Sequence, residues 1–380
     1  MVSLLATPRS IYPALFSTFD SMIKTRILCS LAWLLTSITA IAQTNPFKIF
    51  LIGDAGDDEM TTQTLDSLKS VLNRNPNSAV FFLGDNSYKN ALGGLLPIGY
   101  KGFDSTLETR EKVLTEMNTL QGYKGAAWFV PGNHDWWNIM NIKRGQPKLK
   151  LEENFIEQNL AKNTSIQNPG NTYIPKNGTP GPEAVDLDNG KIRVISIDTY
   201  WLIISQFKQN RRKTAAARKA FYQNLDSLMV DATAKKEKLM LVSHHPVYYQ
   251  RAVKKLPTWL APKRARQSDP DFPAYSKMSA QMIAILKKYP GVYFAAGHMH
   301  AIQYHYTDNI HYIISGAGSR LIHVSQKQAA QTPPQTANDC IFWNDKGFFE
   351  VTFYPDHENI TIYHDEGRKK TDLSELGGGK

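Results

Sequence analysis

Three largely apolar runs in the first half of the chain, FKIFLI at Phe47–Ile52, AVFFL at residues 79–83 and AAWFV at residues 126–130, each lead into a glycine followed by a polar residue. Runs of five or six such residues bounded by turn signals read as strands buried on both faces. Between them, residues 59–73 and 107–120 have helical spacing, with Leu65, Leu68, Val71 and Leu72 apolar in the first. Strand, helix, strand, helix, strand implies parallel pairing through right-handed crossovers. Ligands of such sheets collect beyond the carboxyl ends of the strands. Further strands are predicted at residues 191–198, 239–242 and 291–296, with helices at 215–230 and 277–288.

The C-terminal part changes character. Residues 302–306, 311–314, 348–354 and 360–364 read as strands of a second, largely antiparallel sheet. Residues 141–190 and 246–275 read as long irregular loops over the site, 326–340 as a polar surface loop and 366–380 as a flexible tail. Hydrophobic residues make up 42% of the chain and charged residues 21%, enough apolar material for a sizeable core and too much for a disordered chain. The net charge is +10. A basic surface favours anionic substrates without identifying one. The clusters Arg211-Arg212-Lys213, Lys254-Lys255 and Lys263-Arg264-x-Arg266 read as solvated faces. Zinc-finger spacing and basic stretches interleaved with aromatic residues are missing, so no nucleic-acid-binding module is evident.

Lys24 and Arg26 precede an uncharged apolar run at residues 27–42 that ends Ala40-Ile41-Ala42. A basic start, a short apolar stretch and small residues at a cut are the marks of an export signal. Residues 1–42 are therefore expected to be a signal peptide, with Met22 the better start, and the product to be periplasmic or secreted. The run falls short of the ~20 residues a spanning helix needs, so no spanning helix is expected in the mature chain. An uncleaved N-terminal anchor is the alternative. Cys29 lies within the leader, leaving Cys340 as the one thiol of the exported chain and no internal disulfide.

Five polar blocks sit at the ends of the predicted strands: Gly53-Asp54-Ala55-Gly56, Gly84-Asp85-Asn86-Ser87-Tyr88, Gly132-Asn133-His134-Asp135, His244-His245-Pro246 and Gly297-His298-Met299-His300. Each alone is weak, since a lone Gly-Asp or Asn-His-Asp usually marks a turn. Two adjacent histidines are often satisfied in a core. Five blocks at five strand ends point to one shared site, and carboxylate, amide, phenol and imidazole donors together suit Fe, Mn or Zn.

These blocks resemble the calcineurin-like metallophosphoesterase superfamily across residues 43–365, and within it the small tartrate-resistant purple acid phosphatases. Many superfamily members carry Asp-x-His in the first block; this chain has Asp54-x-Gly56, and the resemblance assigns the missing ligand to Tyr88. The run Ser315-Gly316-Ala317-Gly318 also resembles that group. The implied fold is an α/β sandwich of two mixed sheets flanked by helices, with the metal site at strand C-terminal ends. The implied ligands are Asp54, Tyr88, His300 and bridging Asp85 for Fe(III), and Asp85, Asn133, His244 and His298 for divalent Fe, Zn or Mn. A tyrosine with solution pKa ~10 is held as an anion by a strong Lewis acid.

The resemblance implies hydrolysis of a small phosphorylated substrate, a phosphomonoester, by attack of a metal-bound hydroxide. His134 and His245 are the candidate proton donors to the leaving group, with Asp135 orienting His134. Asp57, Trp136-Trp137 and His245 depart from the subgroup's pattern, which leaves substrate preference open. Phosphodiesters or nucleotides are the alternative substrates, and an exported binding protein is a second alternative. Oligomeric state is not legible.

Overall fold

The computed structural model describes residues 45–56, 62–88, 107–249, 272–321 and 340–376. The elements follow the sequence pattern: β1 (Phe47–Ile52), α1 (Thr62–Arg74), β2 (Ser78–Phe82), α2 (Leu107–Asn118), β3 (Ala126–Phe129) and α3 (Ile142–Asn163). There follow β4 (Glu183–Leu187), β5 (Ile192–Ser196), α4 (Thr199–Ile204), α5 (Ala215–Ala234), β6 (Lys238–Val242), α6 (Pro273–Leu286) and β7 (Val292–Ala296). The chain then continues as β8 (Ile302–Thr307), β9 (Ile310–Ser315), β10 (Cys340–Trp343), β11 (Phe348–Phe353), β12 (Glu358–His364) and β13 (Lys369–Asp372). Among the described residues no helix is long and apolar enough to cross a membrane.

Two sheets form, with strand orders β13-β12-β11-β1-β2-β3 and β10-β8-β9-β7-β6-β5-β4. Pairing is parallel through β1-β2-β3 and through β5-β6-β7-β9, and antiparallel elsewhere. Successive side chains of a strand face opposite ways, and both faces of the central strands are used. Ile49, Leu51, Phe81, Val194, Met240 and Val351 belong to one apolar cluster contributed by strands of both sheets. Phe50, Ile52, Val80, Phe82, Leu241 and Phe294 belong to another, shared with helix residues such as Leu68, Leu225 and Met282. The result is an α/β sandwich of two mixed sheets flanked by helices, as expected.

Three expectations are corrected. The late strands do not make a sheet of their own: β11, β12 and β13 extend the sheet begun by β1, while β8, β9 and β10 extend the one containing β7. Nor is the end of the chain a free tail from residue 366. β13 pairs with β12, and Leu373 beyond it is buried against the inter-sheet cluster. Residues 141–190 are not an irregular loop either, because they contain α3 and β4. The expected loop at 246–275 lies outside the described residues from 250 to 271. The one at 326–340 does so up to 339, and Cys340 opens β10.

The carboxyl ends of the two sheets are stitched together by main-chain hydrogen bonds. Gly53 N donates to Ser315 O at 2.7 Å, and Gly318 N to Gly53 O at 3.1 Å. Within each sheet, Asp54 N donates to Gly84 O at 3.0 Å and Gly297 N to His244 O at 3.0 Å. The polar blocks of both sheets are thereby brought to one edge.

Candidate metal centre

Asp54, Asp85, His298 and His300 all have positive φ, at 58°, 56°, 69° and 45°. For residues with a Cβ this region is sparsely populated, and it costs about 1–2 kcal/mol each time. Four such residues at three strand ends, after β1, β2 and β7, turn their side chains off the sheet edges into one space. Strain of this kind clusters at functional sites.

Tyr88 Oη donates to Asp54 Oδ1 at 2.7 Å and lies 3.1 Å from His300 Nε2. His300 Nε2 is 3.4 Å from the same Asp54 oxygen. On the other side of the site, His244 Nε2 lies 3.1 Å from Asn133 Oδ1, 3.3 Å from Asp85 Oδ1 and 3.2 Å from His298 Nδ1. All seven residues assigned from the resemblance are therefore gathered together, in two groups. Asp54 with Asp85 and His244, and His244 with His245 and His298, each bring ligand atoms within 4.8 Å of one another.

The chemistry of the donors tests whether metal ions fit. His244 Nδ1 donates to the Leu83 carbonyl at 2.9 Å. This fixes the tautomer that leaves Nε2 as a lone pair, the usual way a protein presents an imidazole to a metal. That lone pair faces the Asn133 and Asp85 oxygens, an arrangement of acceptors that is favourable only around a positive charge. Without a metal ion, burial would lower the His244 pKa but the Asp85 carboxylate raises it to about 10, so a proton takes the Nε2 position that a bound cation would claim. Asp85 itself is held well below the usual carboxylate range by His244 and His134, against the effect of its burial. Tyr88 is raised well above the ordinary phenol value, by burial and then by Asp54 and Asp85. A phenolate there requires a cation of high charge. The residues fit two metal ions.

Gly56 explains how Tyr88 reaches the site. A Cβ at position 56 would stand 2.3 Å from the Asn86 carbonyl carbon and 2.5 Å from Ser87 N. The volume that a side chain at 56 would need is filled by the backbone that carries Tyr88. Tyr88 N closes the arrangement by donating to Gly56 O at 3.1 Å.

The three residues proposed for proton handling separate. The His134 side chain is 34% exposed at the mouth, with Nε2 4.0 Å from Asp85 Oδ2. His245 is fully buried beneath His298, its ring centroid 4.3 Å away. It is held by Thr199, whose Oγ1 is 3.0 Å from Nδ1 and accepts from the His245 N–H at 2.9 Å. Burial holds its pKa well below the usual imidazole value. The expectation that Asp135 orients His134 is corrected. Its carboxylate instead accepts from Gly132 N at 2.7 Å, Asp85 N at 2.9 Å, Asn86 Nδ2 at 3.1 Å and Ser87 N at 3.2 Å. Asp135 thus pins the loop that presents Asp85 and Tyr88. Thr199 and Arg320 also join the site; the sequence offered a signal for Arg320 alone, which follows Gly318 and Ser319 directly.

A two-sheet α/β sandwich that gathers carboxylate, amide, phenol and imidazole ligands at one edge is the architecture of a metallohydrolase. The chain belongs to the calcineurin-like phosphoesterase family, whose model matches residues 47–301. It is a metal-dependent phosphoesterase of that family. Among solved structures, it is similar to GAP50, the anchor in the inner membrane complex of Plasmodium. The TM-score there is 0.51 at 15% identity, covering 86% of this chain and 88% of that one. PhoD aligns with a TM-score of 0.51 at 11% identity, over 87% of this chain and 69% of that one. A dimetal phosphatase from Danio rerio aligns at 0.48 and 15% identity, over 87% and 99%. At these identities the likeness is one of fold. No curated protein matches the chain.

Proposed function

We propose that this protein is an exported phosphatase that hydrolyses phosphomonoesters at a dinuclear centre of the purple acid phosphatase kind. The observation that carries this reading is the exchange between positions 56 and 88. The side-chain space of residue 56 is filled by the Asn86-Ser87 backbone, and Tyr88 Oη lies within hydrogen-bond reach of both Asp54 and His300. Asp54, Asp85, Tyr88 and His300 would hold Fe(III), since two carboxylates and a phenolate balance a trivalent charge. Asp85, Asn133, His244 and His298 would hold divalent Fe, Zn or Mn.

Bound metal ions there polarise phosphoryl oxygens and acidify water to near-neutral pKa. The chain's own residues do the rest. His134, at the mouth, is better placed than buried His245 to give a proton to the leaving oxygen. His245 supports His298 from beneath. Asp135 keeps Asp85 and Tyr88 in register. Export is supported by the leader at residues 22–42, with its basic start and Ala40-Ile41-Ala42 end.

The reading is tested by metal analysis and a visible spectrum of natively produced protein, with turnover of mono- and diesters. Iron at one equivalent with a visible charge-transfer band, and faster monoester turnover, are expected. A colourless protein holding only zinc would sink the phenolate assignment, and faster diester turnover would sink the substrate assignment. N-terminal sequencing of secreted protein is expected to begin at Gln43; a first residue well before it would refute cleavage there.

A further inference from the structure

The loop after β9 continues as Ser315-Gly316-Ala317-Gly318-Ser319-Arg320, and it is tied to the backbone of a metal-ligand residue. Ser319 N donates to Asp54 O at 3.1 Å, the Ser319 hydroxyl bonds the same oxygen, and Gly318 N donates to Gly53 O at 3.1 Å. Arg320 therefore has little freedom in where its side chain starts. Its guanidinium carbon lies over the Tyr88 ring, 4.6 Å from the centroid. A cation over an aromatic face is attracted by the ring's quadrupole, so the ring helps to hold the guanidinium there. The same ring has His134 at 4.5 Å and His300 at 6.0 Å, centroid to centroid.

Burial divides the residues of this edge. Asp54, Asp85, Tyr88, Asn133 and His244 are buried, whereas His134, His298, His300 and Arg320 are partly exposed. A substrate arriving from solvent meets these four first. Three are imidazoles, and Arg320 is the one with a permanent charge.

We propose that Arg320 is a phosphate-binding and specificity-determining residue, selecting the dianionic group of a phosphomonoester over the monoanionic group of a diester. This rests on the phosphatase reading above and deepens it. The guanidinium offers five N–H donors in a plane and matches phosphate oxygens two at a time. A monoester with a second pKa of about 6 carries close to two charges at neutral pH. A diester carries one, and replaces a terminal oxygen with an ester link. Coulomb attraction scales with charge, so the same arginine favours the monoester about twofold in energy.

The test uses the full-length, metal-loaded protein as wild type, Arg320→Gln and Arg320→Lys. Inorganic phosphate binding is measured by titration calorimetry. Steady-state kinetics are measured on p-nitrophenyl phosphate and on bis(p-nitrophenyl) phosphate. Arg320→Gln should weaken phosphate binding by about ten- to a hundredfold, the range of a lost charge-assisted hydrogen bond. It should raise the monoester KM by a similar factor while kcat stays within about threefold. Diester kinetics should change by about the square root of that factor, roughly three- to tenfold, and Arg320→Lys should recover part of the loss. Unchanged phosphate affinity in Arg320→Gln would overturn the proposal. So would equal losses on mono- and diester, or a loss of bound metal that accounts for the defect, because each would make Arg320 a support for Tyr88 alone. Wild-type protein that binds no phosphate would overturn the phosphatase reading with it; active wild type with an unaffected Arg320→Gln overturns the arginine's role only.

Discussion

The two halves of the metal site share Asp85 and little else. One half, Asp54, Tyr88 and His300, is acidic and closed on itself: the phenol donates to the aspartate, and the imidazole sits against both. The other, Asn133, His244 and His298, is neutral in its own donors. Its lone pairs converge on His244 Nε2. The first half is built where the two sheets meet, on a main-chain seam of Gly53, Ser315 and Gly318. The second is backed by buried His245 and its partner Thr199. Opposite demands thus fall on one shared carboxylate, and the difference teaches that, under the proposed function, ligand charge would sort metal charge.

The comparison breaks most completely at the shared residue. Asp85→Ala should abolish both halves together, lowering kcat/KM by at least about a thousandfold, the equivalent of ~4 kcal/mol of transition-state stabilisation. Metal analysis should find both ions lost; retention of either at full occupancy would show that the halves are independent. A smaller and one-sided effect is expected for Asn133→Ala. It should weaken the divalent ion by about ten- to a hundredfold and leave the trivalent one, so equilibrium dialysis should fall from two ions toward one. Tyr88→Phe should act on the opposite half. The fold and the divalent ion persist, and the visible band disappears; an unchanged band in the variant would contradict phenolate ligation.

The smallest effect lies outside both halves and serves as their control. His305 in β8 is buried with Nε2 2.9 Å from Gln303 Oε1, and burial alone lowers its pKa to about 4. An unfolded histidine takes up a proton near 6.5. Between these values the unfolded state binds more protons, so stability is fully present above about pH 6.5 and is lost as pH falls toward 4. Urea denaturation of metal-free wild type and His305→Gln from pH 7.5 to 4.5 isolates this contribution: the variant should lose less stability than wild type as pH falls. Equal slopes would mean that the lowered pKa of His305 has no energetic consequence. The contrast with His244 is direct: the same burial opposes protonation of both rings, and Asp85 reverses it at only one.

What the sequence made legible was whatever ends an apolar run. Each polar block follows a strand, and the parallel order sends all of them to one edge, so a shared site was legible; which seven residues would be ligands came from the family resemblance. Breakers and charges misled elsewhere. Residues 142–163 carry Gly145, Pro147 and a pair of acids, yet they form a 22-residue helix capped by Asn141, whose side chain accepts from Arg144 N. A Cβ at Gly145 would lie 2.5 Å from Trp136 Cε3, so that glycine is there for packing. Glu152 and Glu153 interrupt the apolar stripe because both are buried. β13, reading KKTD, lacks a strand's apolar alternation because it is an edge, where charges discourage further pairing. Asp135 was misread because its distant partners, the backbone N–H groups of Asp85 and Ser87 and the Asn86 side-chain amide, lie 48–50 positions away, and sequence composition does not reveal which amides need an acceptor. The left-handed backbone at four ligands is equally silent, since Asp and His carry no mark of it.

The space that a side chain at position 56 would need is taken by the Asn86-Ser87 backbone that leads to Tyr88. Gly56→His alone would force that loop aside and withdraw Tyr88 before the new imidazole could substitute for it. A bulky side chain at 56 and the present placement of Tyr88 are therefore mutually exclusive, and the first and second polar blocks are coupled by sterics.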